Sequence, residues 1–151
     1  DGWMDIITLD MRPHKEEVLK TSMGFNDYDI YKFKLNYSYH FQYDRNMLQL
    51  NKGPLFNNNY VKFSEIGEFS GVSSTDWSWG ALFADYDLDG KKDLIVTNGT
   101  PRRPNNLDFI NFDYDKEEKS KALSYIDLIS IIPRGEVPNV AYRNNGVKFE
   151  R

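Results

Sequence analysis

The residues most able to do chemistry lie in one short stretch, Asp85-Tyr86-Asp87-Leu88-Asp89-Gly90-Lys91-Lys92-Asp93. Carboxylates recur at every second position, and a fourth follows four residues later. Acids this close repel one another unless a cation sits among them. Asp85, Asp87, Asp89 and Asp93 offer hard oxygen donors, and the backbone carbonyl of Lys91 adds another. Such a flexible, oxygen-rich cage suits calcium, Ca2+, better than magnesium, which demands near-ideal octahedral geometry. Gly90 permits the left-handed backbone of a tight loop. An EF-hand would need a bidentate acid at the twelfth loop position. Counted from Asp85 that position is Val96, and Leu94-Ile95-Val96-Thr97 reads as a strand rather than an exiting helix.

The chain begins with a partial copy of this loop. Asp1-Gly2-Trp3-Met4-Asp5-Ile6-Ile7 matches Asp89-Gly90-Lys91-Lys92-Asp93-Leu94-Ile95 in spacing and residue class. From Asp5 to Asp93 the separation is 88 positions. Asp1, Asp5 and the Trp3 carbonyl are therefore the expected remnants of a second site, whose first ligands precede the sequence. A second echo joins Asn46 and Asn139, 93 positions apart. Both open the pattern Asn, four strand residues, Asn, one residue, Gly, and Lys62-Phe63 recurs as Lys148-Phe149.

The elements that must carry these loops are mostly strands. Residues 5–9, 46–50, 60–66, 77–84 and 93–97 have strand character, so 45–99 is expected as one unit of four short antiparallel strands. The acidic loop joins its inner pair. Residues 15–20 suit one or two helical turns. Residues 27–43 read two ways: aromatics alternate from Tyr31 to Tyr43, yet Ile30, Phe33 and Tyr37 also fit a helix face. A helix is predicted across 116–131, capped by Asp113 or Asp115 and ended by Pro133, with Leu123, Ile126 and Ile129 on its apolar face.

Composition bounds the function. The chain has 151 residues, enough for a real core, and aromatics at 15 % favour strands. A net charge of −4 gives no basic footprint for nucleic acid. With no cysteine, disulfides and thiolate metal sites are excluded. No apolar run is long enough for a membrane span, and no signal-peptide pattern is visible at the first residues. No nucleophile elbow or phosphate-binding glycine loop occurs, so no catalytic residue is assigned and a non-enzymatic role is expected. His14 and His40 lie far apart in sequence, and Glu65 and Glu68 have no evident partner. Trp77 and Trp79 share a strand face, suited to packing or to stacking on a sugar. Arg102-Arg103 reads as a solvated loop, with an anion contact as the rival.

Taken together, the segments Arg45-Asn46-Met47-Leu48-Gln49-Leu50-Asn51, Phe63-Ser64-Glu65-Ile66-Gly67, Gly71-Val72, Thr75-Asp76-Trp77-Ser78-Trp79-Gly80, the acidic loop and Val96-Thr97-Asn98-Gly99 resemble the FG-GAP/VCBS repeats of bacterial β-propellers. The group in question often carries an ASPIC/UnbV-type domain. The resemblance covers roughly residues 45–99, with partial copies at 1–9 and 139–150. It implies a mainly β fold with helical insertions, part of a propeller whose blades are four-stranded sheets. Residues 1–9 would end one blade, 45–99 would be a blade with its calcium loop, and 139–151 would start the next. Residues 10–44 and 100–138 would be insertions, and the resemblance favours a short helix over 29–37. It further implies export to the cell surface, neighbouring blades as partners, and a protein or glycan ligand. The alternatives are a non-catalytic region of a polysaccharide-active enzyme and a structural spacer.

Overall fold

A computed structural model describes residues 2–22, 28–54, 60–118 and 124–151. The chain divides into two units. The first gathers Asp1–His14, Arg45–Gly99 and Val137–Arg151; the second gathers Lys15–Asp44 and Thr100–Glu136.

The first unit holds two antiparallel sheets. Strands β1 (Ile6–Thr8), β2 (Met47–Pro54) and β3 (Val61–Glu65) make one, in that order. Strands β4 (Ser78–Ala84), β5 (Asp93–Asn98), β6 (Val140–Asn144) and β7 (Phe149–Glu150) make the other. The four strands expected within 45–99 are thus divided between sheets. β2 pairs with β1 on one side and β3 on the other, while β4 and β5 continue into β6 and β7. The physical reason lies in the connection from β3 to β4. A single helical turn (Gly67–Ser70) is closed by Gly71 at φ 82°, and Asp76 follows at φ 72°. A left-handed non-glycine residue costs on the order of 1–2 kcal/mol. Here it is held in place: the Asp76 amide donates to Arg12 O at 2.9 Å, and Asp76 Oδ1 accepts from Trp77 N at 2.8 Å. The corner turns the chain away from β3 before β4 begins. Buried Asn46 braces the other side, donating its amide to Ser73 O and its side chain to Val72 O.

The core sits between the two sheets. Leu94, Val96, Val140 and Tyr142 of the larger sheet are buried with Leu48 of the smaller one and Val72 of the connection. Ile7 and Leu9 pack against them from the β1 side. Because side chains alternate along a strand, the sheets meet through opposite faces. The larger sheet presents Leu94 and Val96; the smaller presents Ile7, Leu9 and Leu48. Each fully buried aliphatic side chain contributes roughly 1.5–3 kcal/mol.

Among its described residues the second unit contains four helices: α1 (Glu16–Thr21), α2 (Tyr28–Asn36), α4 (Leu107–Glu118) and α5 (Tyr125–Ile131), numbered with the turn Gly67–Ser70 as α3. An isolated bridge from Ser22 to Asn106 ties the two stretches together. The ambiguity over 27–43 resolves to a helix, stopped by Ser38 at φ 63°. No strand follows it through residue 46. Phe33 and Tyr37, one turn apart, meet as a tilted ring pair with centroids 4.5 Å from each other. The helix predicted over 116–131 is corrected. Asn106 Oδ1 accepts from Phe109 N at 3.0 Å, so α4 starts well before Asp113 and Asp115. Ser124 caps α5 separately, accepting from Ile126 N at 3.2 Å. Leu123 lies outside the described residues, as do residues 23–27 and 55–59. Ile126 is 76 % exposed, so the expected apolar face is not covered. Nor is Arg102-Arg103 a solvated pair. Arg102 donates to Ile132 O at 2.8 Å, the Arg103 amide donates to Pro133 O, and Arg103 is buried.

Candidate metal centre

The acidic loop connects β4 to β5, strands held in register from Ser78↔Asn98 to Ala84↔Asp93. Its carboxylates fold back onto its own backbone. Asp85 accepts from the amides of Asp89 and Gly90, both at 3.0 Å. Asp87 accepts from Asp89 N at 3.3 Å, and Asp89 from Lys91 N at 2.8 Å. These bonds need a left-handed bend, supplied by Leu88 at φ 59° and Gly90 at φ 85°. A Cβ on Gly90 would meet nothing within 4 Å, so the glycine serves backbone conformation rather than space.

The result is a group of three. Asp85, Asp87 and Asp89 each place a carboxylate oxygen within 4.8 Å of the others. Two cations stand beside them. Lys91 Nζ lies 3.1 Å from Asp89 Oδ2, and Arg143 Nε on β6 lies 2.7 Å from Asp87 Oδ2. The Lys91 amide, then its ammonium, hold the Asp89 carboxyl below the usual range; partial desolvation opposes this, and the charges of Lys91 and Arg143 add to it. Three oxygen donors on a short loop fit a hard divalent cation by donor chemistry. Each carboxylate oxygen that accepts one hydrogen bond keeps a second lone pair for a metal.

Asp93 stands apart from that trio. It is 5 % exposed, and both oxygens serve backbone amides: Oδ1 accepts from Asn144 N at 2.8 Å, Oδ2 from Tyr86 N at 3.2 Å. It fastens the acidic loop to the turn after β6. Asn144 returns the contact, donating its side chain to Lys92 O at 3.0 Å and accepting from Gly146 N at 2.9 Å. The Lys91 stem lies against this same turn, near Gly146.

The partial copy repeats this arrangement. Asp5 Oδ1 accepts from Asn51 N at 2.8 Å, Asn51 Nδ2 donates to Met4 O at 3.0 Å, and Asn51 Oδ1 accepts from Gly53 N at 2.9 Å. The strand register repeats too. Ile6↔Gln49, Ile7↔Leu48 and Thr8↔Met47 correspond to Leu94↔Tyr142, Ile95↔Ala141 and Val96↔Val140. At the far ends, Asn46 Oδ1 accepts from Asp10 N at 2.8 Å and Asn139 Oδ1 from Asn98 N at 2.9 Å. Gly2 and Gly90 share left-handed backbones, φ 88° and 85°. Of the second site, Asp1 lies outside the described residues, Asp5 does the work of Asp93, and the Trp3 ring lies where a Cβ on Gly53 would fall.

Sequence reasoning missed these asparagines as working residues, although their spacing was the signal. It also missed an ionic cluster. Arg45 bonds Glu65 at 2.8 Å and Glu68 at 3.1 Å, and Arg12 bonds Glu68 at 2.9 Å. Glu65 Oε1 also accepts from the amides of Gly67 and Leu48. Glu65 and Glu68 are therefore paired, contrary to expectation; their partners come from distant segments. Trp79 is largely exposed, with its indole N–H donating to Gly99 O at 2.6 Å. Among the described residues no helix is long and apolar enough to cross a membrane. Comparison with protein-family models, with curated proteins and with solved structures returned no match.

Proposed function

We propose that this chain is a calcium-braced repeat segment of β-propeller type, serving as a binding or scaffold module of an exported or cell-surface protein. One observation carries the reading. Two segments with related sequence share strand register, asparagine clamps and left-handed glycines, as copies of one structural unit would. The larger sheet is a four-stranded antiparallel meander, the form of a propeller blade.

The ion would be held by Asp85, Asp87 and Asp89, with the Lys91 carbonyl as a further donor and Asp93 anchoring the loop beside them. Its chemistry there is charge neutralisation: it relieves repulsion among the loop acids and stiffens the link from β4 to β5. That is a bracing role rather than a sensing one. The neighbouring partners are other blades, and a protein or glycan would be the external ligand.

The test is thermal unfolding in calcium and in chelator. A ligand of the native state at about 100 times its Kd stabilises by roughly 2.7 kcal/mol. For a chain of this size that raises Tm by about 5–10 °C. Asp87→Asn should remove most of the rise. An identical Tm in both buffers defeats the calcium reading.

A further inference from the structure

The acidic trio already holds a cation from outside the loop. Arg143, on β6, places Nε 2.7 Å from Asp87 Oδ2 and Nη2 3.9 Å from Asp89 Oδ2. Its side chain is 65 % exposed, so little packing fixes it there. A second carboxylate stands beside it in the sheet. The register sets Arg143 directly opposite Glu150 of β7. Opposed residues of an antiparallel pair share a face, with Cβ atoms about 4.5–5.5 Å apart. Yet among the described residues the guanidinium pairs with the loop and not with Glu150, whose Oε1 accepts from Asn145 Nδ2 at 2.6 Å. The partial copy has neither charge. There Asn51↔Phe63 corresponds to Asn144↔Phe149, and Leu50↔Ser64 to Arg143↔Glu150. The charged pair is therefore an addition to the repeated scaffold, made next to the acidic loop.

We infer that Arg143 is a two-position counter-ion that carries the state of the loop to the edge of the sheet. Without a metal ion it neutralises Asp87. A divalent cation among Asp85, Asp87 and Asp89 takes over that carboxylate and repels the guanidinium, which then turns to Glu150. The Glu150 carboxylate has lone pairs enough for both Asn145 and a guanidinium. The change is a rotation of one long, exposed side chain and asks no strand to move. It brings a positive charge from the loop to β7, the edge strand of the larger sheet, beside the turn that Asn145 closes through Val147 N and Lys148 N. Glu150 thereby offsets part of the cost of displacing Arg143 and favours the metal-bound loop. The inference rests on the metal reading above.

Isothermal titration calorimetry with calcium chloride tests the coupling in the unaltered chain, Glu150→Gln, Arg143→Gln and the double variant. Both positions are exposed, and glutamine at 150 keeps an oxygen for Asn145. Glu150→Gln should weaken calcium binding about two- to fivefold where Arg143 is present, the size of an exposed ion pair. In the Arg143→Gln background it should change nothing. Equal effects in both backgrounds, or no effect in either, overturn the switch. A second measurement needs no metal. The Arg143 Nε–H resonance, followed by NMR in chelator, should respond to Glu150→Gln in an Asp87→Asn protein, where the loop partner has lost its charge, and not with the loop unaltered. A resonance indifferent to Glu150 in the Asp87→Asn protein overturns the switch even where calcium binds. A chain that binds no calcium yet shows this response defeats the metal reading alone.

Discussion

Asp93 accepts the backbone amide of Asn144 at 2.8 Å across 51 residues of sequence, and Asp5 makes the same bond to Asn51 across 46. In both places a carboxylate at or just before the start of one strand holds an asparagine amide of its neighbour. Asp93 also accepts from a loop amide, that of Tyr86. The last acid of the loop is therefore a joint between the acidic loop and the sheet.

Removing that joint should be expensive. Asp93→Ala leaves two amides without their charged acceptor in a buried position. Hydrogen bonds to charged groups are worth about 1.5–3 kcal/mol each. A net loss of roughly 3 kcal/mol is expected in urea unfolding, with Asp93→Asn intermediate because it keeps one carbonyl oxygen. A loss under about 1 kcal/mol would show that the two bonds are replaced by water.

Leu94 and Ile6 occupy equivalent register positions in different surroundings. Leu94→Ala should cost about 2–5 kcal/mol, the range for a fully buried leucine. Ile6→Ala should cost well under half as much, since its side chain is half in water. Equal losses would contradict the face assignment.

The ionic cluster makes an acid-stability prediction. Partial burial raises the Glu68 carboxyl, but hydrogen bonds from Ser73 and Arg45 and the charges of Arg12 and Arg45 prevail, leaving it below its ordinary 4.5. A carboxyl depressed in the folded state stabilises above its ordinary value. That contribution fades as pH falls through the lower, folded value. In metal-free buffer, stability should therefore decline as pH drops below about 4.5. Glu68→Gln should flatten the slope in that window. The effect is modest because Glu68 is half exposed. Superimposable pH profiles would remove Glu68 from the cluster's energetics.

Arg143 competes with any cation for Asp87. Its guanidinium lies 2.7 Å from the carboxylate yet is mostly exposed. Exposed pairs are worth roughly 0.2–1 kcal/mol, so Arg143→Gln should tighten calcium binding by about two- to fivefold. Isothermal titration calorimetry measures this. Weaker binding in the variant would mean that Arg143 shapes the loop instead of opposing the ion.

Local structure was legible where neighbours in sequence are neighbours in space. The acidic loop follows from alternating aspartates and one glycine, where the bonds of Asp85, Asp87 and Asp89 to backbone amides close within a few residues. Strand positions followed from short apolar and β-branched segments bounded by turn residues, and the two echoes from residue spacing, whereas the alternating aromatics from Tyr31 begin in a helix. The failures were at long range or at caps. The helix start at Asn106 was missed because Asp113 and Asp115 are equally good capping residues by type. Glu65 and Glu68 looked solitary because Arg12 and Arg45 approach them only after folding.

By itself, the amino-acid sequence determined a β-rich chain with a carboxylate loop and repeated strand segments. Those properties depend on residue type and local spacing, which fix backbone preference and the reach of short side chains. Tertiary structure decided which strands pair. β5 takes β6 from beyond the whole of 100–136, while the nearer β3 stays with β2, which takes β1 on its other edge. Strand pairing is chosen by which faces bury apolar surface and which corners the backbone can turn, and loop length weighs little, since closure entropy grows only slowly with it. The buried corner at Asp76 and the opposite-face packing of Leu48 against Leu94 and Val96 made that choice.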